Sequence, residues 1–327
     1  MRQMKLSGLQ RLIIRRLTHV IPVGIGVSFI TFAAVNLFPS TTIDGLLGGN
    51  YTKAGAQHLM AEFNFNQPFF VRYFHWLLNF LTGHWGTSYL NNLSVTTILS
   101  ERIQVTVELA LFAFILSIAF AVPLTIACVM RPRGVLDRLT TAFTMLGLAT
   151  PQFVLGLLLI IVFSVHLRLL PSANFVPISQ GFFESLRSLL LPAITLSVAP
   201  FSGYVRVLRA DLLDQLQAED YIMSARSHGL SRSAIVINHA LRNSVFGTIT
   251  VIAVNFSTLL GGVVAIEQIF SIPGMGQELL GAIIGHDVPV VLVFDTLIAV
   301  TVVLVSLAAD LIYAVLDPRI RYERVDH

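Results

Sequence analysis

Residues 219–243 read EDYIMSARSHGLSRSAIVINHALRN, and they lie between two long apolar blocks. The stretch holds too many charges to cross a bilayer. As a helix it places Tyr221, Ala225 and Gly229 at i, i+4 and i+8, on one face. That face carries one aromatic ring and then two residues with almost no side chain, and small residues let another backbone approach closely. Gly229 is expected to end or kink the helix, Ser231 to cap the next one, and a second helix to run from Arg232 towards Arg242. Two readings fit this pattern. One is a docking surface for a soluble partner, formed by a helix–Gly–helix unit between membrane spans. The other is an ordinary amphipathic cytoplasmic loop.

Outward from this segment, composition sets the class. The chain has 327 residues, 55% hydrophobic and only 12% charged, where a soluble domain has about 25% charged. Six apolar stretches are each long enough to cross a hydrocarbon layer of about 30 Å: 17–38, 104–129, 139–165, 189–208, 246–266 and 288–315. This divides the chain into a cytoplasmic N-terminus (1–16), a first span, and an extracytoplasmic loop with interfacial helices (39–103). A five-helix core (104–315) follows, containing the 219–243 segment, and then a cytoplasmic tail (316–327).

Arginine and lysine set the orientation. With the N-terminus inside, sixteen of the 21 basic residues fall in cytoplasmic pieces, as the positive-inside rule requires. Both termini and the 219–243 segment are then cytoplasmic. The net charge of +3 follows from this topology; no aromatic-interleaved basic patch points to nucleic acid. Arg15-Arg16 followed by apolar residues mimics a signal peptide, but no small-x-small site precedes Phe38-Pro39, so a retained span is expected. Cys128 is the single cysteine, which leaves no intrachain disulfide.

The outer loop is aromatic. Ten aromatic residues crowd into 63–89, including both tryptophans, Trp76 and Trp85. Such density suits helices at the membrane interface; a platform for an extracellular partner is the alternative. Within the spans, Glu108 either lines a pathway or sits at headgroup depth. Pro151 frees a backbone carbonyl and kinks the third span. Asp295 lies about two turns into the sixth span and needs a polar partner or water.

The 219–243 segment resembles the coupling loop of ABC-importer permeases, in the form used by the dipeptide/oligopeptide permease family: E-D-Y-x-x-x-A-R-x-x-G-L followed by H-A-L-R-N. Here these are Glu219, Asp220, Tyr221, Ala225, Arg226, Gly229 and Leu230, then His239 to Asn243. The broader importer signature places Glu-Ala-Ala before the Gly, where this chain has Met223-Ser224-Ala225. Further marks are similar to the same family: Gln67-Pro68 with Arg72-Tyr73, Gly86-x-Ser88, Pro151-x-Phe153 with Gly156, and Leu191-Pro192-Ala193. Arg206 and Arg209, Asp287-x-Pro289 and the ending Asp317-Pro318-Arg319-Ile320-Arg321 add to these. The most distinctive is Glu267-x-x-Phe270-x-x-Pro273-Gly274-x-Gly276, expected to form an outer turn into a short helix. The P-G-D-P usual after the first span is absent.

The resemblance implies an all-α membrane protein of type I ABC-importer architecture with six transmembrane helices and a cytoplasmic coupling helix. It implies a second related permease subunit, two ABC ATPase subunits, an extracytoplasmic substrate-binding protein and surrounding membrane lipid. No nucleic acid and no cofactor or metal is expected. Glu219, Asp220, Tyr221, Ala225, Arg226 and Gly229 would couple to the ATPase, and Glu108, Pro151 and Asp295 are pathway candidates. Peptides are the expected cargo; nickel or another small solute is the alternative within the family. An ion-coupled secondary transporter using Asp295 and Glu108 is the alternative outside it. A phosphate loop needs Gly-Lys-Ser/Thr, and Lys5 and Lys53, the only lysines, follow Met4 and Thr52. ATP hydrolysis would therefore belong to partner chains.

Overall fold

The computed structural model describes residues 8–36, 43, 45, 47, 52–62, 66–218 and 220–316. Glu219, the tail motif from Asp317 and most of the Gly-rich stretch after the first span lie outside the described residues. Among the described residues the chain forms α1 (Gly8–Asn36), α2 (Lys53–Glu62), α3 (Phe69–Leu81), α4 (Val95–Met130), α5 (Val135–Ala149), α6 (Gln152–Leu159), α7 (Phe182–Ala218), α8 (Asp220–Ser227), α9 (Arg232–Ala234), α10 (Leu241–Ile269), α11 (Met275–Ile284) and α12 (Val288–Leu316). Among the described residues the only strand-type pairing is an isolated bridge between Thr87 and Ser94.

Val95–Met130, Phe182–Gln217 and Val288–Ala309 are long and apolar enough to cross a membrane, and α5 with α6 and its π-helical continuation forms a bent pair that counts as a fourth. Helices α1 and α10 each have 29 residues, about 43 Å at 1.5 Å per residue. The 36 residues of α4 exceed the bilayer core and extend past it.

The kink expected at Pro151 is larger than a kink. The two halves of the bent pair meet at 113°. Proline removes an N–H and forces the preceding residue out of the helical region. Thr150 accordingly has ψ 123°, while Pro151 starts α6 afresh with φ −58° and ψ 137°. The third apolar stretch is thus two helices of different direction, with the second becoming π-helical over Ile160–His166.

The chain divides into two compact units. The first comprises Met1–Ile13, Val107–Ile272 and Val305–His327; the second comprises Ile14–Thr106 and Pro273–Leu304. In the first, α7 packs along α10 and α5. Glycines permit the approach: a Cβ on Gly147 of α5 would lie 2.6 Å from Ser202 Oγ and 2.8 Å from Val198 Cγ1 of α7, and one on Gly262 of α10 would lie 3.3 Å from Leu196 Cδ1 of α7. Close backbone contact of this kind replaces the hydrophobic drive that lipid does not supply.

In the second unit Phe32, Tyr73, Val288 and Leu292 form one core, and Val95, Ile98, Met275, Leu279, Val290 and Phe294 are among those forming another. Tyr73 of α3 shares a hydrogen bond of 3.1 Å with Ser28 of α1. Arg72 holds the end of α1 by donating to Asn36 Oδ1 and to the Asn36 carbonyl, both at 3.2 Å.

Candidate functional site

Helix α8 is short because its end is built in. Leu230 N donates to Ala225 O (3.3 Å) and Gly229 N donates to Arg226 O (3.0 Å). These bonds form the Schellman closure, which needs a left-handed residue at Gly229. Its φ is +76°. Ser231 then caps the next helix, its Oγ accepting from Ala234 N at 3.3 Å. The helix–Gly–helix reading and its cap are both present. Asp220 in the first turn and Arg226 in the last match the helix dipole.

The face carrying Tyr221 and Ala225 turns inward, against the expectation that it would be open to a partner. Ala225 is 8% exposed and joins Leu208, Leu212, Leu216, Ile222, Val236 and Ala240 in one core, with Tyr221 packed on its edge. The Tyr221 hydroxyl donates to Gln215 Oε1 at 2.5 Å. The side chains that cover small Ala225 are the chain's own. What the segment leaves outside is Met223, 71% exposed, with Leu230 and the polar Ser224 and Ser227.

Two arginines fasten the segment to helix ends. Arg226 Nη2 donates to Leu216 O near the end of α7 (2.9 Å), and Arg232 Nη2 donates to Val129 O near the end of α4 (3.2 Å). A helix C-terminus has four carbonyls without intrahelical donors, so cationic side chains are its natural partners. The sequence marks Arg232 as a helix start and a cytoplasmic charge but not as a tie to α4; a basic residue just beyond a capped turn is the signal. The pair Asp137–Arg209 was also missed. Asp137 is buried at the start of α5. It accepts Arg209 Nε at 2.6 Å and Nη2 at 2.8 Å from α7, and Arg133 N at 2.9 Å. The bidentate geometry is the strong form of such a pair.

In the other unit, motifs far apart in sequence meet. Ser88 of the Gly-x-Ser run donates to Asp287 Oδ2, and Tyr89 N donates to Asp287 Oδ1 at 3.0 Å. Asp287 is buried, and a buried carboxylate is tolerable only when hydrogen-bonded. Pro273 O accepts from Arg102 Nη1 at 3.5 Å, Arg102 pairs with Glu278 at 3.0 Å, and Met275 N donates to Thr106 Oγ1 at 2.8 Å. The turn at Pro273-Gly274 leads into α11, whose second residue, Gly276, is buried. Asp295 accepts a 2.5 Å hydrogen bond from Thr31 of α1, a tie between α1 and α12. In the first unit, Glu267 is fully buried and Glu108 is half-buried on α4.

The family of binding-protein-dependent transport system inner membrane components matches residues 117–322, and the chain belongs to it. Among similar proteins, a probable peptide ABC transporter permease of Sinorhizobium fredii is 34% identical over 310 residues. The oligopeptide transport system permease AppB of Bacillus subtilis is 32% identical over 313 residues, and the dipeptide transport system permease DppB of Escherichia coli is 33% identical over 337. Each comparison covers 95% of this chain and 99% of the relative.

Proposed function

We propose that this chain is a permease subunit of an ATP-driven importer of di- or oligopeptides. Similarity along nearly the whole chain to permeases named for peptide transport carries this reading. Six spans follow if α1, α4, the broken α5–α6 pair, α7, α10 and α12 each cross once, with both termini in the cytoplasm. A second related permease completes the pathway, and an extracytoplasmic binding protein delivers the substrate. Two ABC ATPases supply the energy, one of them seated on α8.

In this arrangement Met223, Ser227 and Leu230 form the contact, while Ala225 and Tyr221 transmit it inward to the ends of α4 and α7. Arg226 and Arg232 make the transmission stiff by tying the segment to both helix ends. Asp220 begins the docking helix, and Gly229 ends it. The hydrogen bond that Asp295 accepts from Thr31 supports a structural role for it over proton coupling.

The test is reconstitution of the purified permease pair, ATPases and binding protein in vesicles. ATP-dependent uptake of labelled di- and tripeptides is expected, unchanged by collapse of the proton gradient. Uptake of nickel in place of peptides, or uptake that follows the gradient and not ATP, would overturn the proposal.

A further inference from the structure

Helix α3 carries more apolar surface than its packing uses. At about 100° per residue, Phe70, Phe74, Leu78 and Leu81 fall on one arc, and each is between 58% and 72% exposed. A second arc, with Tyr73, Trp76 and Leu77, packs into the core of its unit. A third, with Arg72, His75 and Asn79, lines a cavity of about 540 Å³. The opposite wall includes Trp85, Thr87 and Pro289. The helix therefore has three faces: bare apolar, buried, and polar around a cavity.

A contiguous apolar stripe of this length is rare on a surface that meets water. It is continuous with the apolar surface of α1. The ring of Phe70 stacks on Phe29 of α1 at 6.5 Å, and the next residue, Ile30, is itself exposed. Tryptophans at the polar edge of an apolar face are the pattern of the headgroup zone. The cavity wall is cationic and rich in donors. Arg72 lies 5.9 Å over the Phe32 ring. Asn79 and Thr87 add an amide and a hydroxyl.

We propose that α3 lies in the membrane interface with Phe70, Phe74, Leu78 and Leu81 among the acyl chains, and that the cavity beside it holds the phosphate-bearing headgroup of a phospholipid. The lipid thereby becomes part of the wall between α3 and the start of α12.

The chain contains its own probe. Trp76 and Trp85 are its only tryptophans, and both line the cavity. The full chain is reconstituted in nanodiscs of phosphatidylglycerol brominated at acyl positions 6,7 or 11,12. Tryptophan emission is expected to fall at least twofold with the 6,7 lipid and less with the 11,12 lipid. Leu78→Glu should restore most of it without changing the elution of the protein. In detergent, dihexanoyl phosphatidylglycerol should shift the emission and inorganic phosphate should not; Asn79→Leu should weaken the lipid response several-fold.

Emission indifferent to both brominated lipids and quenched by aqueous acrylamide would overturn the interfacial placement and make the face a platform for a soluble partner. An equal response to inorganic phosphate would reduce the site to one for free anions. Quenching reports the interface and not the side of the membrane, so an error in topology or cargo leaves this result intact.

Discussion

Gly229 and Ala225 lie four residues apart and fail differently when enlarged. A Cβ added at Gly229 meets no atom within 4 Å, so the cost of Gly229→Leu is backbone strain, about 1–2 kcal/mol for a left-handed residue. Ala225→Leu instead overfills a packed core, typically about 1–3 kcal/mol. The expected outcomes separate. Met223→Asp keeps normal membrane abundance and loses ATPase on pull-down. Gly229→Leu keeps abundance with weakened ATPase retention. Ala225→Leu lowers abundance and the thermal midpoint as well. If Met223→Asp retains its ATPase and transports at the wild-type rate, the outward face of α8 is not the contact.

Two other helix ends use the same closure without glycine. Ile272 N donates to Glu267 O and Ser271 N to Gln268 O, with Ser271 at φ +51°; Asp287 N donates to Ala282 O and His286 N to Ile283 O, with His286 at φ +58°. These strained residues flank α11 and hold its two bends.

Helices in this chain are joined by a few polar ties set in apolar packing. The Asp137–Arg209 pair fixes the start of α5 to α7. Removing one partner of a fully buried pair costs roughly 3–5 kcal/mol; the cost here is smaller, because Arg209 keeps 30% of its side chain exposed. Asp137→Asn is expected to lower the thermal midpoint of the purified protein, and the charge swap Asp137→Arg with Arg209→Asp to recover part of the loss. No change in the midpoint would show that the pair contributes nothing.

The Asp287 tie predicts a local effect. Each hydrogen bond to a charged group is worth about 1.5–3 kcal/mol, and Asp287→Ala removes those from Ser88 and Tyr89. Faster proteolysis within residues 82–94 is expected, with protection elsewhere unchanged. Uniform cleavage rates across the chain would place the tie's effect elsewhere.

At the scale of the whole molecule the prediction concerns sidedness. Cys128 is buried and is replaced as Cys128→Ala. In that background, single cysteines at Thr87 and Ser227 are expected to react with impermeant maleimide on opposite faces, Thr87 from outside intact cells and Ser227 only after permeabilisation. Labelling of both from the same side would remove the six-span arrangement. The 36-residue apolar stretches of α4 and α7, long enough to cross a membrane, are each about 54 Å at 1.5 Å per residue, longer than a hydrocarbon core of about 30 Å. Both helices therefore project far enough for Arg226 and Arg232 to reach their ends.

Much of this protein is written in one dimension. Apolar length is a local sum, so the membrane class is legible without any contact, and the side bias of arginine carries the expected orientation in the same way. The Gly229 stop and the Ser231 cap are legible for the same reason: they depend on φ and on hydrogen bonds within a few residues. Pro151 announced a bend, but its size depends on how α6 packs against α7, where Gly156 lies beside Thr195. The tertiary structure alone decided which face of α8 points inward, because a ring and a small residue one turn apart pack as well against the chain's own side chains as against another chain's. It also decided that Asp295 meets Thr31 and that Ser88 meets Asp287, pairs 264 and 199 residues apart. No periodicity or spacing encodes a partner at that distance; only the folded path of the helices brings donor and carboxylate together.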